Sequence, residues 1–157
     1  MTKETFAEEY WNAFRKTNPS IPETTPYQVW FFGNSQEMSI YLAHFVVNGT
    51  KRATASLVLV NEKIPENAPI PDGYSVVTDF EGKPLCIIQT TEIRHIPFLE
   101  VDFSFAKDEG EGNQNIDDWR KGHREYFTKE CRELGFEFDE TMLVCCERFD
   151  LLYPKFA

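Results

Sequence analysis

The sequence has no long hydrophobic run and little positive charge. No apolar stretch reaches the roughly 18 residues that a membrane-spanning helix needs, and the opening residues MTKETFAEEYWNAF carry charges throughout, which argues against a secretory signal. Lysine and arginine number 16 against 26 aspartates and glutamates, so the formal net charge is −10. Nonspecific binding of long duplexes requires a basic surface. We therefore expect a cytoplasmic protein that binds neither a membrane nor extended duplex DNA.

The sequence also lacks the cysteine spacing of a metal site. Cys86 and Cys131 are isolated, and Cys145 and Cys146 are adjacent. With no C-x-x-C pair, this arrangement fits neither a zinc site nor a disulfide framework. We expect reduced, mostly buried thiols, and we predict no metal and no cofactor.

The composition predicts one folded domain. The chain has 157 residues, of which 41% are hydrophobic and 15% aromatic, enough for a single core. We assign residues 1–157 to one domain. Residues 1–18 form an added N-terminal helix in this prediction, because Tyr10 and Phe14 recur at helical spacing and Pro19 ends the segment.

The remaining pattern mixes strands with irregular helices. It predicts an extended connection NPSIPETTPYQVWFFG, a helix SQEMSIYLAHFVVNG, a strand ATASLVLV, a hairpin PDGYSVVTDFEGKPLCIIQTTEI, a short helix near FLEVDFSFAKDEGEG, a helix IDDWRKGHREYFTKECREL and a strand TMLVCCERFDLLY. Hairpins without regular βαβ units favour an α+β fold, a small mixed β-barrel with helices packed outside.

The segment NGTKRATAS contains a candidate pair for chemistry. Lys51 and Thr54 lie between the predicted second helix and the following strand, where a compact turn would let their side chains meet. Burial there would favour a neutral amine, which could act as the base for a threonine nucleophile. The alternative is an exposed lysine followed by the first threonine of a strand.

Two further segments offer polar groups. In KDEGEG, Glu109 and Glu111 are separated by a glycine that lets the backbone approach a ligand, and either glutamate could face a cleft; a solvated loop is the alternative. In WRKGHREYF, Trp119 and His123 share a helical face. Such a stripe is typical of a core, whereas Arg120 and His123 could instead present donors to a ligand. His123 is distant from KDEGEG in the chain, so no metal-ligand spacing is evident.

Taken together, five segments resemble the ASCH domain family. They are GTKRATAS, TTEIRHIPFLEVD, FAKDEGEG, WRKGHREYF and VCCERFDLLY, and the likeness runs from about Trp30 to Tyr153. It is strongest to the larger bacterial subgroup long classed as a domain of unknown function. ASCH domains are similar to PUA domains, so the resemblance implies a PUA-like mixed β-barrel with surrounding helices and a cleft suited to RNA or a nucleobase.

The resemblance also implies a chemistry. A small bacterial branch of the family includes an amidohydrolase that removes acetate from the exocyclic amine of acetylated cytidine. Its G-x-K-x-x-T motif matches Gly49, Lys51 and Thr54, and its A-x-x-E stretch matches Ala106 and Glu109. The resemblance thus implies Lys51 as base, Thr54 as nucleophile, and Glu109 as the group that orients the lysine or shuttles a proton.

Three functions follow as hypotheses. In the amidohydrolase, Trp30, Phe32 and Trp119 would stack on the base of a small nucleoside. Other members of the longer subgroup resemble metal-independent ribonucleases on short single-stranded RNA, for which Lys51, Arg52 and Arg120 would bind phosphates and His123 would transfer protons. The third is an RNA-binding or nucleobase-binding module without catalysis.

Overall fold

The computed structural model describes residues 2–155, in which helices and strands alternate irregularly. The helices are α1 Lys3–Thr17, α2 Gln36–Val47, α3 Val58–Lys63, α4 Phe103–Glu109 and α5 Ile116–Glu133. The strands are β1 Tyr27–Phe31, β2 Ala53–Leu57, β3 Tyr74–Thr78, β4 Pro84–Pro97 and β5 Leu143–Tyr153. None of these helices has the length and apolar character needed to cross a membrane.

The strands form one curled sheet, a half-barrel whose order is β1-β3-β4-β5-β2. β1 is parallel to β3, and every other neighbouring pair is antiparallel. The long β4–β5 ladder contains register shifts at Ile87/Ile88 and at Thr90/Glu92, which increase the local bend of the sheet. The predicted α+β class, with a curled sheet surrounded by helices, is confirmed.

The helices cover both faces of the sheet. Val76 belongs to the core under α1 and its neighbour Val77 to the core under α2, and consecutive strand residues point to opposite faces. A third core cluster joins α4 and α5 to β2 and β5, and the fully buried Trp119 and Phe127 belong to it. This third cluster lies next to the candidate site.

Within the predicted N-terminal helix, residues Lys3–Thr17 form α1. Thr2 caps it by accepting a hydrogen bond from the Thr5 backbone N–H. Trp11 and Phe14 are buried, and the Trp11 ring stacks on Tyr27 with a centroid distance of 4.6 Å. Helix α1 therefore contributes to the core of the described structure.

Two predicted elements differ from the structure. The strand predicted over residues 53–60 ends at Leu57, and Val58 begins α3. Leu57 pairs with Val144, which is the second residue of β5. Only one residue of β5, Leu143, is left with which the strand could continue to pair. The extended connection predicted before Gly33 contains a strand, β1, because the parallel pairing with β3 satisfies its backbone groups.

Candidate active site

Lys51 is fully buried although it carries a long charged side chain. Its Nζ donates hydrogen bonds to Ala53 O at 2.8 Å, Glu109 O at 3.3 Å and Glu111 Oε2 at 2.7 Å, and lies 3.5 Å from Glu109 Oε2. Three donated bonds use all three N–H groups of an ammonium, whereas a neutral amine has only two. The contacts therefore fit the charged form of Lys51.

The backbone around Lys51 is fixed by α2 and α4. Helix α2 ends at Val47 and is followed by Asn48 and by Gly49, whose φ of +86° favours glycine, and the Lys51 N–H donates to Phe45 O at 2.9 Å. Helix α4 ends at Gly110, with φ +64°, where a Cβ atom would lie 2.2 Å from Thr50 O. This close approach brings the carboxylates that flank Gly110 to the Lys51 side chain.

Glu109 is the most enclosed acid of the site. Its Oε1 accepts a hydrogen bond from Trp119 Nε1 at 2.6 Å and lies 3.2 Å from His123 Nε2. Burial by itself would raise the pKa of Glu109, but the positive charges of His123 and Lys51 lower the pKa well below its ordinary value. Glu109 is therefore an ionised carboxylate that holds two cationic groups in place.

The pKa values of Glu111 and His123 shift upward. Burial raises the pKa of Glu111, Lys51 opposes that shift, and Glu109 adds to it. Burial would lower the pKa of His123, but Glu109 outweighs burial and raises it. Both glutamates contact the Lys51 ammonium: Glu109 is buried, and the Glu111 side chain is 25% exposed.

Thr54 lies on the wall of a cavity of about 880 Å³. It shares that wall with Trp30, Phe32 and Glu147, and Lys51 Nζ lies 5.3 Å from the centre of the Phe32 ring. The Ala53 carbonyl that binds Lys51 is part of the peptide bond between Ala53 and Thr54. The ammonium and the threonine therefore occupy adjoining positions, with the threonine on the cavity side.

The other predicted binding residues separate into two groups. Trp30 and Phe32 line the cavity, with ring centroids 4.8 Å apart. Trp119 has no exposed surface and is stacked on His123 at 4.1 Å, so the prediction that it stacks directly on a base is wrong in this structure. Its indole instead fixes Glu109.

The two predicted arginines are away from the cavity wall. Arg120 donates to Leu99 O at 2.9 Å and lies 3.8 Å from Asp117 Oδ1. The Arg52 side chain is 70% exposed and lies 3.9 Å from Asp108 Oδ1. Both guanidinium groups therefore have partners in the protein, although Arg52 is accessible to solvent.

Three side chains around Lys51 also have donor atoms of the kind that bind metal ions. Glu109, Glu111 and His123 each offer one ligand atom, and these atoms lie within 4.8 Å of one another. Tertiary folding thus brings His123 to the acidic segment, contrary to the sequence interpretation that it lies far away. Because the Lys51 ammonium already contacts both carboxylates, the cluster is organised as an ion-pair network around an internal cation.

Glu147 is a cavity residue that the sequence reasoning missed. It is only 5% exposed, and its Oε2 accepts a hydrogen bond from Thr90 Oγ1 at 2.7 Å. Burial raises the pKa of Glu147 to about 7, while Thr90 and Lys51 oppose that rise. The available signal was its position in VCCERF, where strand alternation places Glu147 on the same face as Phe149 of the core.

This chain is similar to known proteins in sequence and in structure. The family model of the ASCH domain matches residues 28–153. The chain belongs to the ASCH domain family. An ASCH domain from Lactobacillus crispatus is 28% identical, with a TM-score of 0.84 and coverage of 96% of both chains. A protein of Enterococcus faecalis is 31% identical, with a TM-score of 0.84 and coverage of 94% of this chain and 88% of that chain.

These likenesses confirm the ASCH resemblance and its PUA-like fold. Comparison with the curated proteins finds no match. The structural likeness covers nearly the whole chain, whereas the match to the ASCH family model begins at residue 28, after α1.

Proposed function

We propose that this ASCH protein is an amidohydrolase that removes the acetyl group from the exocyclic amine of a cytosine nucleoside. Thr54 is the nucleophile, and Trp30 and Phe32 contact the base. The observation that carries this proposal is the position of Thr54 in the lining of a cavity that Trp30 and Phe32 also line, directly after Ala53, whose carbonyl oxygen binds the buried Lys51 ammonium. The Lys51 ammonium donates all three of its N–H groups to protein acceptors, so it acts on Thr54 through its charge and through the Ala53 carbonyl that it fixes.

The proposal gives Lys51 an electrostatic role. The resemblance implied a lysine base, but three donated hydrogen bonds and two neighbouring carboxylates favour the ammonium. Glu109 positions that ammonium and is itself fixed by Trp119 and His123. These groups act through Lys51 and are therefore positioning residues.

The charges of the cavity favour a nucleoside over RNA. Its lining includes the cations Lys3 and Lys129 and the acids Glu4, Glu130, Glu133 and Glu147. Acidic walls oppose the binding of phosphates, whereas a nucleoside carries no phosphate. The ribonuclease hypothesis has less support, because His123 is paired with Glu109 and Arg120 is bonded to a backbone carbonyl.

We also place the reaction in the cytoplasm. Cys86, Cys131, Cys145 and Cys146 are all buried and free of disulfides, as predicted. Free thiols are typical of proteins in a reducing compartment.

The test is incubation of the pure protein with N4-acetylcytidine, with release of cytidine and acetate followed by chromatography. We expect turnover by the wild type, loss of turnover in Thr54→Ala, and partial activity in Thr54→Ser, which keeps a hydroxyl. Thr50→Ala, at an exposed position, serves as the matched control. Absence of turnover by a folded wild-type protein would refute the proposal, and binding of cytidine without turnover would indicate a nucleobase-binding module.

A further inference from the structure

The proposed attack by Thr54 requires a group that accepts the hydroxyl proton. Lys51 is unsuited to this role, since its three N–H groups are all donated and it carries no free lone pair as an ammonium. Glu109 is turned to Trp119 and His123. The base must therefore be sought among the other groups that face Thr54.

We propose that Glu147 is the catalytic base and acid of this site, which takes the proton of the Thr54 hydroxyl and delivers it to the leaving amine. The inference rests on the proposed function and adds a residue to it. Neither the ASCH resemblance nor the Lys51–Thr54 spacing assigns any role to Glu147.

The register of the sheet carries this inference. Thr54 of β2 pairs directly with Glu147 of β5 in the antiparallel ladder. Side chains of directly opposed residues project from the same face, with Cβ atoms about 4.5–5.5 Å apart. Both residues line the cavity. A glutamate at that separation reaches a threonine hydroxyl directly or through one water molecule.

The hydrogen bonds of Glu147 leave one oxygen for this work. Oε2 accepts from Thr90 Oγ1, which fixes the carboxyl group. Within residues 2–155, Oε1 receives no hydrogen bond from the protein. Because Glu147 lines the cavity, the unoccupied oxygen is available to a bound ligand or to Thr54.

The buried position of Glu147 supports proton exchange near neutral pH. Burial raises its pKa to about 7, which lets one carboxyl accept and return a proton at neutral pH. The Lys51 charge opposes this rise in pKa. Thr90 on β4 donates a hydrogen bond to Glu147. The other titratable groups are Cys145 and Arg148 on its own strand and the residues that line the same cavity, namely Lys3 and Glu4 of α1, Tyr27 of β1, and Tyr126, Lys129, Glu130 and Glu133 of α5.

The reaction balances with Glu147 as the only proton carrier. The Glu147 carboxylate takes the Thr54 proton as Oγ1 bonds to the acetyl carbon. The tetrahedral intermediate then collapses, the carbon–nitrogen bond breaks, and Glu147 gives the proton to the departing cytosine amine. In the second half, a water molecule loses a proton to Glu147 and attacks the acetyl-threonine ester. Acetate leaves, and the proton returns to Thr54.

The main test compares Glu147→Gln with the wild type on N4-acetylcytidine. We expect kcat to fall about 100-fold or more, because glutamine cannot carry the proton, with KM changed only about threefold. In the wild type, kcat/KM should rise with pH to a plateau above about pH 7, because the carboxylate is the active form. Glu125→Gln is the matched control, since Glu125 is exposed and lies outside the cavity lining, and it should keep the wild-type kcat and pH profile.

A second measurement separates this inference from the choice of substrate. The protein is treated with p-nitrophenyl acetate, and acetylation of Thr54 is followed by mass spectrometry. We expect the wild type to be acetylated at Thr54 at least about tenfold faster than Glu147→Gln. Equal rates, or an unchanged pH profile in Glu147→Gln, would overturn the role of Glu147. Acetylation of Thr54 without turnover of N4-acetylcytidine would refute only the nucleoside substrate, and no acetylation of Thr54 together with no turnover would overturn both proposals.

Discussion

At the scale of single residues, two of the buried ionisable side chains of the site, Lys51 and Glu147, have different surroundings. Lys51 lies among carboxylates and carbonyl oxygens that balance its charge. Glu147 has a single hydroxyl partner, and burial raises its pKa to about 7. The difference is physical: an ion taken out of water needs an opposite charge at close range, or it changes its protonation state.

This contrast predicts how stability depends on pH. The folded protein holds the Glu147 proton up to about pH 7, whereas the unfolded chain releases it near pH 4.5, so ionisation of Glu147 lowers stability as the pH rises between these values. We therefore expect Glu147→Gln to be more stable than the wild type at about pH 8, by roughly 1–3 kcal/mol, and to lose this advantage below about pH 4.5. Urea denaturation at both pH values measures the difference.

The exposed Glu125 provides the control for this experiment. Glu125→Gln removes one carboxylate from the protein surface, so it measures the general effect of losing one negative charge at the two pH values. A Glu147→Gln effect of the same size at acidic and alkaline pH would contradict the assigned shift.

At the scale of elements, the end of α4 is the feature that assembles the site. Gly110 adopts a φ of +64° and lies against the Thr50 carbonyl. The Arg52 N–H donates a hydrogen bond to Asp108 O at 2.8 Å. The loop that carries Lys51 is thereby held against the helix that carries Glu109. The KDEGEG pattern predicts close approach of this glycine to a ligand, whereas in the structure it approaches the protein's own backbone.

Gly110→Ala should therefore be far more damaging than Gly112→Ala. A Cβ atom at Gly110 would lie 2.2 Å from Thr50 O, so the backbone must move, whereas a Cβ atom at Gly112 meets nothing within 4 Å. Both positions have positive φ, so each substitution also costs about 1–2 kcal/mol of backbone strain. We expect Gly110→Ala to lower the free energy of unfolding by at least about 2 kcal/mol more than Gly112→Ala does, measured with urea. Similar losses in both variants would show that the contact with Thr50 is unimportant.

At the scale of the whole molecule, the negative charge disfavours ligands that carry phosphate groups. The net charge of −10 and the acids of the cavity lining both oppose phosphate groups. Aromatic rings on the same wall offer surface to a neutral base. A nucleoside satisfies both conditions.

Binding of cytidine should accordingly be insensitive to salt. We expect its Kd to change less than about twofold between roughly 50 and 500 mM NaCl, because no phosphate contact releases counterions. Isothermal titration calorimetry measures this Kd, and a short single-stranded cytidine-rich RNA is the comparison ligand. RNA binding that is tighter than nucleoside binding and falls steeply with salt would instead favour the single-stranded RNA hypothesis.

Much of the fold was predictable because its signals are local. The spacing of Tyr10 and Phe14 predicted α1, and the segments SQEMSIYLAHFVVNG and IDDWRKGHREYFTKECREL, predicted as helices, contain α2 and α5. The errors fell where tertiary pairing decides: β1 becomes a strand because β3 pairs with it, and β2 stops near the end of its partner strand. Periodicity within one segment carries no information about either partner.

The sequence by itself determined the α+β class, the family, the acidic character and the neighbouring positions of Lys51 and Thr54, all of which are properties of composition or short-range order. Tertiary structure alone decided that Trp119 and His123 contact Glu109 and that Glu147 lies opposite Thr54. Those contacts join residues on different elements, and their register depends on how the curled sheet and the helices pack together.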